Sequence, residues 1–421
     1  MVMDIWLTQI GEQLPLNNNT RKMRTALLAD ELVRRDHRIT WWASAFDHAS
    51  KKFLFAHDEE IVINNNYKIK ALFGKEYRRN ISWQRYVDHM MVAKKLYSEL
   101  CQSQPPDIII VSMPDHLTAF QAVRYAKQRN VPVLVDVRDE WPDLFLGALP
   151  GLLRLPARYL LKKDIEETAY LLTHSQAITS MMESLHQWAL RKAKREKRWT
   201  DRVFYLGTMP PVFPRDDNLA PNIFRLKGLV QNRFVLLYIG TFGKHNDPTI
   251  MLEAAAALRA AGKADNFSFI IAGNGKYFPD IAGRAKNFEN VFLPGWVGQN
   301  EISFLLSLAD VGVIPSTSRR DEFPNKVFTY LSAGIPIIAS TGGELKEIID
   351  ACHVGYSYDP NDTVGFVERI YSMEKDPAHV RVMSKNAALL FNERFHAGKI
   401  YGDFADHIER IVACRDPYTP G

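Results

Sequence analysis

The sequence predicts an α/β protein of two doubly wound domains whose parallel sheets face an interdomain cleft. Three observations carry this. The chain has 421 residues, too many for one ordinary core. Short apolar runs alternate with helical patterns along its length, the mark of βαβ units. A Pro-rich break, Gly207–Pro214, separates one such series from a fresh one starting at Phe234. The expected divisions are an N-terminal domain over 1–207, a linker over 208–232, a C-terminal domain over 233–395 and a closing helical segment over 396–421.

In the first half the strand candidates are Asp4–Gln9, Arg38–Ala43, Asp107–Ser112, Pro132–Val137, Ala177–Thr179 and Val203–Leu206. In the second they are Phe234–Gly240, Phe267–Ala272, Val291–Leu293, Val311–Ile314 and Pro336–Ala339. Each is a short apolar run of the kind buried in a parallel sheet. Helical periodicity falls between them, over Arg21–Arg35, Leu117–Arg129, Thr249–Ala260, Glu301–Ala309 and Lys326–Ala333. It returns at the end over Pro377–Asn392 and Ile400–Cys414. Thr20 suits an N-cap for the first helix. Pro324 suits the first helical position of the helix before Gly334, where a missing N–H costs nothing.

Composition excludes several classes. A hydrophobic fraction of 46% and a charged fraction of 24% are those of a soluble globular protein. Cys101, Cys352 and Cys414 form no CxxC pair, which argues against a disulfide framework or zinc ribbon and fits a reducing cytoplasm. Met1–Trp6 lacks a basic region followed by a long apolar run, so no signal peptide is expected. No apolar stretch approaches the roughly 20 residues that span a bilayer. The twelve histidines show no metal-ligand spacing, and lone ones such as His174 and His353 read as structural. The net charge of +5 is uneven: residues 1–205 hold 31 Lys and Arg against 24 Asp and Glu, a net of +7. The N-terminal half is the part suited to an anionic surface or ligand.

The most informative stretch runs from Ala309 to Ile338. It reads as buried strand, polar loop, helix, tight turn and second buried strand. A loop feeding a helix N-terminus is an anion site, because the first amides lack intrahelical partners and the dipole's positive end points outward. Lys326 adds a full charge there. The expected ligand is a phosphate or diphosphate outside the carboxyl end of a strand. Two glycine loops, Gly240–Pro248 with Lys244 and His245, and Gly273–Lys276 with Asn274, end neighbouring strands and permit close backbone approach. Pro294–Gly298 could read a base, with Trp296 either walling the pocket or filling core.

In the first half, Ile10–Thr20 leads into Arg21, Lys22 and Arg24 at a helix start, where the dipole disfavours cations. Either a bound phosphate offsets that conflict or the turn is simply solvated. Asp136–Asp143 places four acids, Arg138 and Trp141 at a strand's carboxyl end. This segment suits chemistry or sugar binding; otherwise it is a capped loop with Arg138 paired to Asp139 or Glu140. The run Arg191–Trp199 has six basic residues and two neighbouring Trp, Trp188 and Trp199. It reads as a solvated helix face, a membrane-docking segment or, with least support, a nucleic-acid binder. Gly151–Lys163 is Leu-rich and carries Arg154, Arg158, Lys162 and Lys163, a basic amphipathic segment.

Taken in order, Gly240–Lys244, Ile271–Gly275, Val291–Val297, Ala309–Ser316, Pro324–Phe328, Leu331–Pro336 and Gly355–Asp362 resemble the GT-B retaining glycosyltransferases of glycosyltransferase family 4. Arg138–Asp143 is similar to a motif of the subgroup that builds bacterial O-antigen, lipopolysaccharide, capsule and exopolysaccharide. The resemblance implies two Rossmann-like domains, a nucleotide-sugar donor on the C-terminal one and a glycan or lipid-linked acceptor on the N-terminal one. It implies retention of anomeric configuration without a metal or other cofactor, and UDP is expected over GDP. It also implies a terminal helix that crosses back to the N-terminal domain.

On this resemblance Lys326, the amides near Asn325 and Lys244 neutralise the leaving diphosphate. Asp321 or Glu322 holds donor-sugar hydroxyls, and Gly243, Asn274, Trp296, Val297, Phe323 and Thr329 complete the donor site. Asp139 or Glu140 positions or deprotonates the acceptor hydroxyl, with Arg138 at the reacting centre and Gly11, Arg21, Arg24 and Trp141 on the acceptor side. The family's two Glu eight positions apart align here with Asp321 and Thr329. The implied function is sugar transfer in surface polysaccharide synthesis, in the cytoplasm and at the inner face of the plasma membrane. The alternatives are a non-catalytic nucleotide- or sugar-binding protein that assists a partner enzyme, and a nucleotide-sugar epimerase.

Overall fold

The structure is a computed structural model that describes residues 2–16, 20, 22–213, 219–243, 246–319 and 321–414. The chain divides into two compact units, Met1–Tyr205 with Ala397–Gly421, and Leu206–His396. Each has its own sheet.

Unit 1 contains β1 (Asp4–Thr8), β2 (Arg38–Ser44), β3 (Phe46–Asp47), β4 (Lys52–Phe53), β5 (Glu59–Asn64), β6 (Tyr67–Leu72), β7 (Ile108–Ser112), β8 (Val133–Val137), β9 (Ala177–Ser180) and β10 (Arg202–Val203). Eight of these form one sheet in the order β10-β9-β8-β7-β1-β2-β6-β5, and β3 pairs only with β4. All pairings in the large sheet are parallel except β5 with β6. Unit 2 contains β11 (Phe234–Ile239), β12 (Phe267–Ala272), β13 (Val291–Gly295), β14 (Val311–Ile314), β15 (Ile337–Ala339) and β16 (Gly355–Ser357). Their order is β13-β12-β11-β14-β15-β16, all parallel.

Both sheets are doubly wound. The chain works outward from β1 on one side and then from β7 on the other, and likewise from β11 and then β14. The strand order therefore reverses between β1 and β7 in unit 1 and between β11 and β14 in unit 2. Such switch points open a crevice at the strands' carboxyl ends. Central strands such as Ile108–Ser112 and Phe267–Ala272 are buried at every position, as parallel strands covered on both faces must be.

Three local expectations need correction. The first helix spans Arg24–Arg34, and its N-cap position is Met23, with no side-chain cap, instead of Thr20. The carboxylate of Glu12 replaces the cap: it accepts from the backbone N–H of Thr25 at 3.0 Å and of Ala26 at 3.1 Å. The helix before Gly334 begins at Asn325. Pro324 stands at the N-cap position with ψ 147°, so it ends the loop and does not open the helix. The last strand of unit 1 is the short Arg202–Val203, because the chain beyond it is held by other groups.

Those groups form a buried polar knot at the unit 1 switch point. Arg24, 3% exposed, grips the 1% exposed Asp136 with two bonds of 2.8 Å and donates to the carbonyls of Phe204 and Tyr205. Arg138 bonds Asp136 at 2.9 Å, Glu12 at 2.9 Å, Thr25 Oγ1 at 2.8 Å and Ser112 Oγ at 3.0 Å. Thr179 Oγ1 donates to Asp136 as well. Burial alone would raise the Asp136 carboxyl; the adjacent Arg24 and Arg138 guanidiniums outweigh it and hold the group well below the usual carboxylate range. The anion that offsets the basic helix start is thus Glu12, part of the protein itself.

The Ala397–Ala413 helix completes unit 1. Ile400, Phe404, Ile408 and Ile411 join the core of β1, β2 and the first helix, and Phe404 stacks on Phe204 with centroids 4.3 Å apart.

Removing one member of a buried ion pair leaves an uncompensated charge. Arg24→Met should therefore cost about 3–5 kcal/mol in unfolding free energy, read by urea titration. Asp136→Asn should destabilise as well. Because the folded pKa of Asp136 is depressed, its contribution is present above the unfolded carboxyl's pKa of about 3.9 and fades as pH falls through and below it. The gap between wild type and Asp136→Asn should close in that direction.

Candidate active site

The unit 2 switch point is organised by Tyr330. β11 and β14 pair only at Leu236 with Val311 and Leu237 with Gly312. Beyond that the strands part, and the fully buried Tyr330 hydroxyl enters the gap. It accepts from Ile239 N–H at 3.0 Å and donates to Leu237 C=O at 3.1 Å. Its ring lies against Gly312, where any Cβ would come within 2.4 Å of it. The Asn325–Ser332 helix is thereby pinned to the sheet.

Lys326 lies one turn before Tyr330 on the same helix face. Its ammonium sits 4.2 Å above the Tyr238 ring and donates to Asn246 Oδ1 at 3.1 Å. Gly240 makes room for it: a Cβ there would lie 3.2 Å from Lys326 Nζ. Asn246 closes a turn with Gly243 and bridges to Ser316 beyond β14, which ties the two switch-point loops together. Burial lowers the Lys326 pKa to about 7, opposed only weakly by Glu322. An amine so placed gains most when an anion arrives beside it. Lys244 of this turn, and Arg21 of the N-terminal loop, lie outside the described residues.

The other expected donor residues divide. Glu322 is half-buried, and its charge reaches Lys326. Asp321 instead caps the Gly343–Cys352 helix by accepting from Glu344 N–H at 3.0 Å. Gly343 has φ +63° and a Cβ there would strike the Asp321 carboxylate, so this cap requires glycine. Phe323 is buried in an aromatic cluster with Phe328 and Phe395, centroids 5.1 and 5.6 Å away. Thr329 donates its hydroxyl back to the Asn325 carbonyl at 3.3 Å. Asn325 is exposed at the helix start.

Gly243 and Asn274 are brought into one loop layer by the Phe242–Gly275 bridge. Asn274 is exposed, and its Oδ1 accepts from Gly275 N–H at 2.7 Å. Gly273 has φ +135°, and a Cβ there would lie 1.9 Å from the Gly240 carbonyl oxygen. Val297 is buried. Trp296 is 79% exposed, which excludes the core alternative, because Gly295 at φ +80° turns the chain outward just before it.

In unit 1 the knot absorbs Arg24 and Arg138 into structural pairs, and Arg138 pairs with Asp136 and Glu12 instead of Asp139 or Glu140. Gly11 is exposed and donates to Gln9 Oε1. Asp139 is half-buried, accepts from Glu140 N–H at 2.7 Å, and is raised by burial. A raised carboxyl is a better proton acceptor near neutrality. Trp141 is half-buried, and its ring lies 5.9 Å from that of His116. Close to them are residues that no motif singles out: His116 bound to Asp164 at 2.7 Å, His89 bound to Asp115 at 3.1 Å, and Arg85. Arg85 and His89 share the Trp83–Gln102 helix, and His116 comes from the next βα connection.

Among the described residues no group of three or more His, Cys, Asp or Glu is placed to hold a metal, and no helix is long and apolar enough to cross a membrane.

Comparison with known proteins matches residues 221–389 to the family described as "Glycosyl transferases group 1". The N-acetyl-alpha-D-glucosaminyl L-malate synthase of Bacillus anthracis is 23% identical over 178 residues, covering 42% of this chain and 45% of that protein. The alpha-monoglucosyldiacylglycerol synthase of Streptococcus pneumoniae is 22% identical over 272 residues, covering 62% of this chain and 58% of that protein. The chain thus spans about half the length of the curated relatives it matches. Among solved structures, Anabaena HepE in complex with UDP superposes with a TM-score of 0.67 at 13% identity, covering 97% of this chain and 100% of that one. The chain has the GT-B fold, and its residues 221–389 match the glycosyl transferases group 1 family.

Proposed function

We propose that the chain is a retaining, metal-independent glycosyltransferase that moves a sugar from a nucleotide-sugar donor to a glycan or lipid-linked acceptor in bacterial surface polysaccharide synthesis. The observation that carries the reading is the Lys326 ammonium, packed on Tyr238 beside Gly240 and held by Asn246 at the unit 2 switch point. A diphosphate there would meet this cation and the first amides of the Asn325–Ser332 helix. Negative charge grows on that diphosphate as the glycosidic bond breaks, so prepositioned donors act where they lower the barrier most. Glu322 is the acid placed to hold donor-sugar hydroxyls, and Asp139 or Glu140 would orient the acceptor hydroxyl. UDP is the expected carrier, as in the HepE complex.

The proposal extends to an anionic membrane surface. The Gly151–Leu160 helix buries none of its residues. Leu152 is 93%, Leu155 79% and Tyr159 80% exposed, alongside Arg154, Arg158, Lys162 and Lys163. Apolar side chains beside cations suit an interfacial helix on acidic lipid. The basic run after Arg191 is a weaker candidate. Lys192, Arg195 and Lys197 are paired with Asp143, Asp201 and Glu183, and Trp188 is buried with its N–H on Asp143.

A second reading, nucleotide binding without turnover, is favoured by Thr329. It offers no carboxylate, and its hydroxyl is committed to a helix carbonyl. Following donor consumption across UDP-, GDP-, dTDP- and CMP-sugars with a panel of acceptors separates the two: turnover supports transfer, and binding alone supports the second.

With a transferring donor, Lys326→Ala should lower kcat/KM by roughly 10²–10³-fold; turnover near wild type would refute its role. Because free Lys326 has a pKa near 7 and a bound diphosphate raises it, nucleotide binding above pH 7 should take up protons and weaken as pH rises. Calorimetry at pH 8 in buffers of different ionisation enthalpy should show this uptake in wild type and its loss in Lys326→Met. Wild type should sediment with vesicles containing phosphatidylglycerol at low salt and not with pure phosphatidylcholine; Leu152→Glu/Leu155→Glu should abolish the difference.

A further inference from the structure

A second group of cations stands in unit 1, apart from the knot. Lys51 follows β3 and has φ +58°, a left-handed conformation that a residue with a side chain adopts at a cost. Its ammonium donates to Asn80 Oδ1 at 2.6 Å and lies 3.3 Å from His48 Nδ1. Tyr77 Oη shares that nitrogen of His48 at 2.7 Å. Arg85, in the first turn of the Trp83–Gln102 helix, donates through Nη1 to the Asn80 carbonyl at 2.8 Å and through Nε to His89 Nε2 at 3.3 Å. His89 holds Asp115 with its other nitrogen. Asn80 thus joins Lys51 and Arg85 in one structure, and His48, Lys51, Arg85 and His89 are all partly open to solvent.

The nearby acids are turned elsewhere. Asp47 accepts from Ala49 and Ser50 N–H, and Asp88 from Lys75 N–H. Asp115 is taken by His89 and Thr118. Among the described residues neither Lys51 nor Arg85 forms an ion pair. Their charges act together: burial and the fields of Arg85, Lys51 and His89 outweigh Asp47 and push His48 down to about 4, and burial and Arg85 likewise outweigh Asp47 and lower Lys51. Two cations joined through Asn80 without an ion pair repel each other, and a shared anion removes the repulsion. The field of Arg85 is also felt at Asp139, the candidate acceptor-orienting acid, which it lowers against the rise that burial causes.

We propose that Lys51 and Arg85, with His48 beside them, form a phosphate-binding subsite for the acceptor. It rests on the reading of unit 1 as the acceptor side and deepens it: the acceptor is an anionic molecule whose phosphate or diphosphate anchors near Asp139. An isoprenoid diphosphate, a soluble sugar phosphate and a free phosphate share this chemistry.

Titrating farnesyl diphosphate, glucose 6-phosphate and inorganic pyrophosphate into the full chain in a Lys326→Met background tests it. At least one probe should move the imidazole resonances of His48 and His89, and the tightest identifies the source. Adding Lys51→Met and Arg85→Met should weaken that probe by about tenfold or more, the loss expected for charge-assisted hydrogen bonds. Arg85→Lys, which keeps the charge but not both hydrogen bonds, should retain part of the binding and serves if the double change does not fold. Equal affinities with and without the two cations, or no binding of any probe, would overturn the subsite. UDP binding, read by thermal shift in the variant lacking Lys51 and Arg85 or, should that not fold, in Arg85→Lys, reports on unit 2: its failure sinks the donor reading and leaves the subsite standing.

Discussion

The Tyr330 hydroxyl, inserted where β11 and β14 separate, is the contact on which the unit 2 site depends. Parallel strands that diverge leave backbone N–H and C=O groups without partners, and burying those costs more than a typical hydrogen bond returns. One phenol satisfies both, at Ile239 and Leu237. The same side chain fixes the rotation and depth of its helix, because Gly312 admits its ring. Lys326, one turn earlier, has its direction set by that anchor. The crevice needed for a ligand and the cation that would greet the ligand therefore arise from a single substitution of side chain for strand.

The two units treat equivalent places in opposite ways. At the unit 1 switch point, Glu12, Arg24, Asp136 and Arg138 satisfy one another, so these charges are structural. At the unit 2 switch point, glycines bring backbone close, and Lys326 is held by the neutral groups of Asn246 and Tyr238 and not by an ion pair among the described residues. Buried ion pairs are weak sources of net stability but strict about geometry. The knot fixes the loop after β1, the first helix and the end of β8 in one arrangement, and leaves the surroundings of Asp139 to carry any chemistry.

Most strands were legible because a buried parallel strand is a continuous apolar run, as in Ile108–Ser112 or Phe267–Ala272. The β5–β6 hairpin was not. β5 is an edge strand, largely exposed, with Asn64 and Asn66 at its turn, so it lacks that run. The helix at Asn325 and the placement of Lys326 were legible from the loop–helix pattern. The cap formed by Glu12, 13 residues before Thr25, was not, since capping signals are local in sequence. Asp321 and Phe323 look like ligand residues by position, yet Gly343 and Phe395 claim them for structure. His48, Lys51, Arg85 and His89 are ordinary surface residues until the fold gathers them.

The Ala397–Ala413 helix makes unit 1 discontinuous. Its first 205 residues present a core face that waits for Phe404, Ile408 and Ile411, and these are made only after Leu206–His396. Synthesis proceeds from the N-terminus, and domains ordinarily fold as they emerge. Here all of Leu206–His396 is translated before unit 1 can close. The nascent chain carries an uncovered apolar surface through that interval, and a premature stop before residue 397 would leave it uncovered permanently.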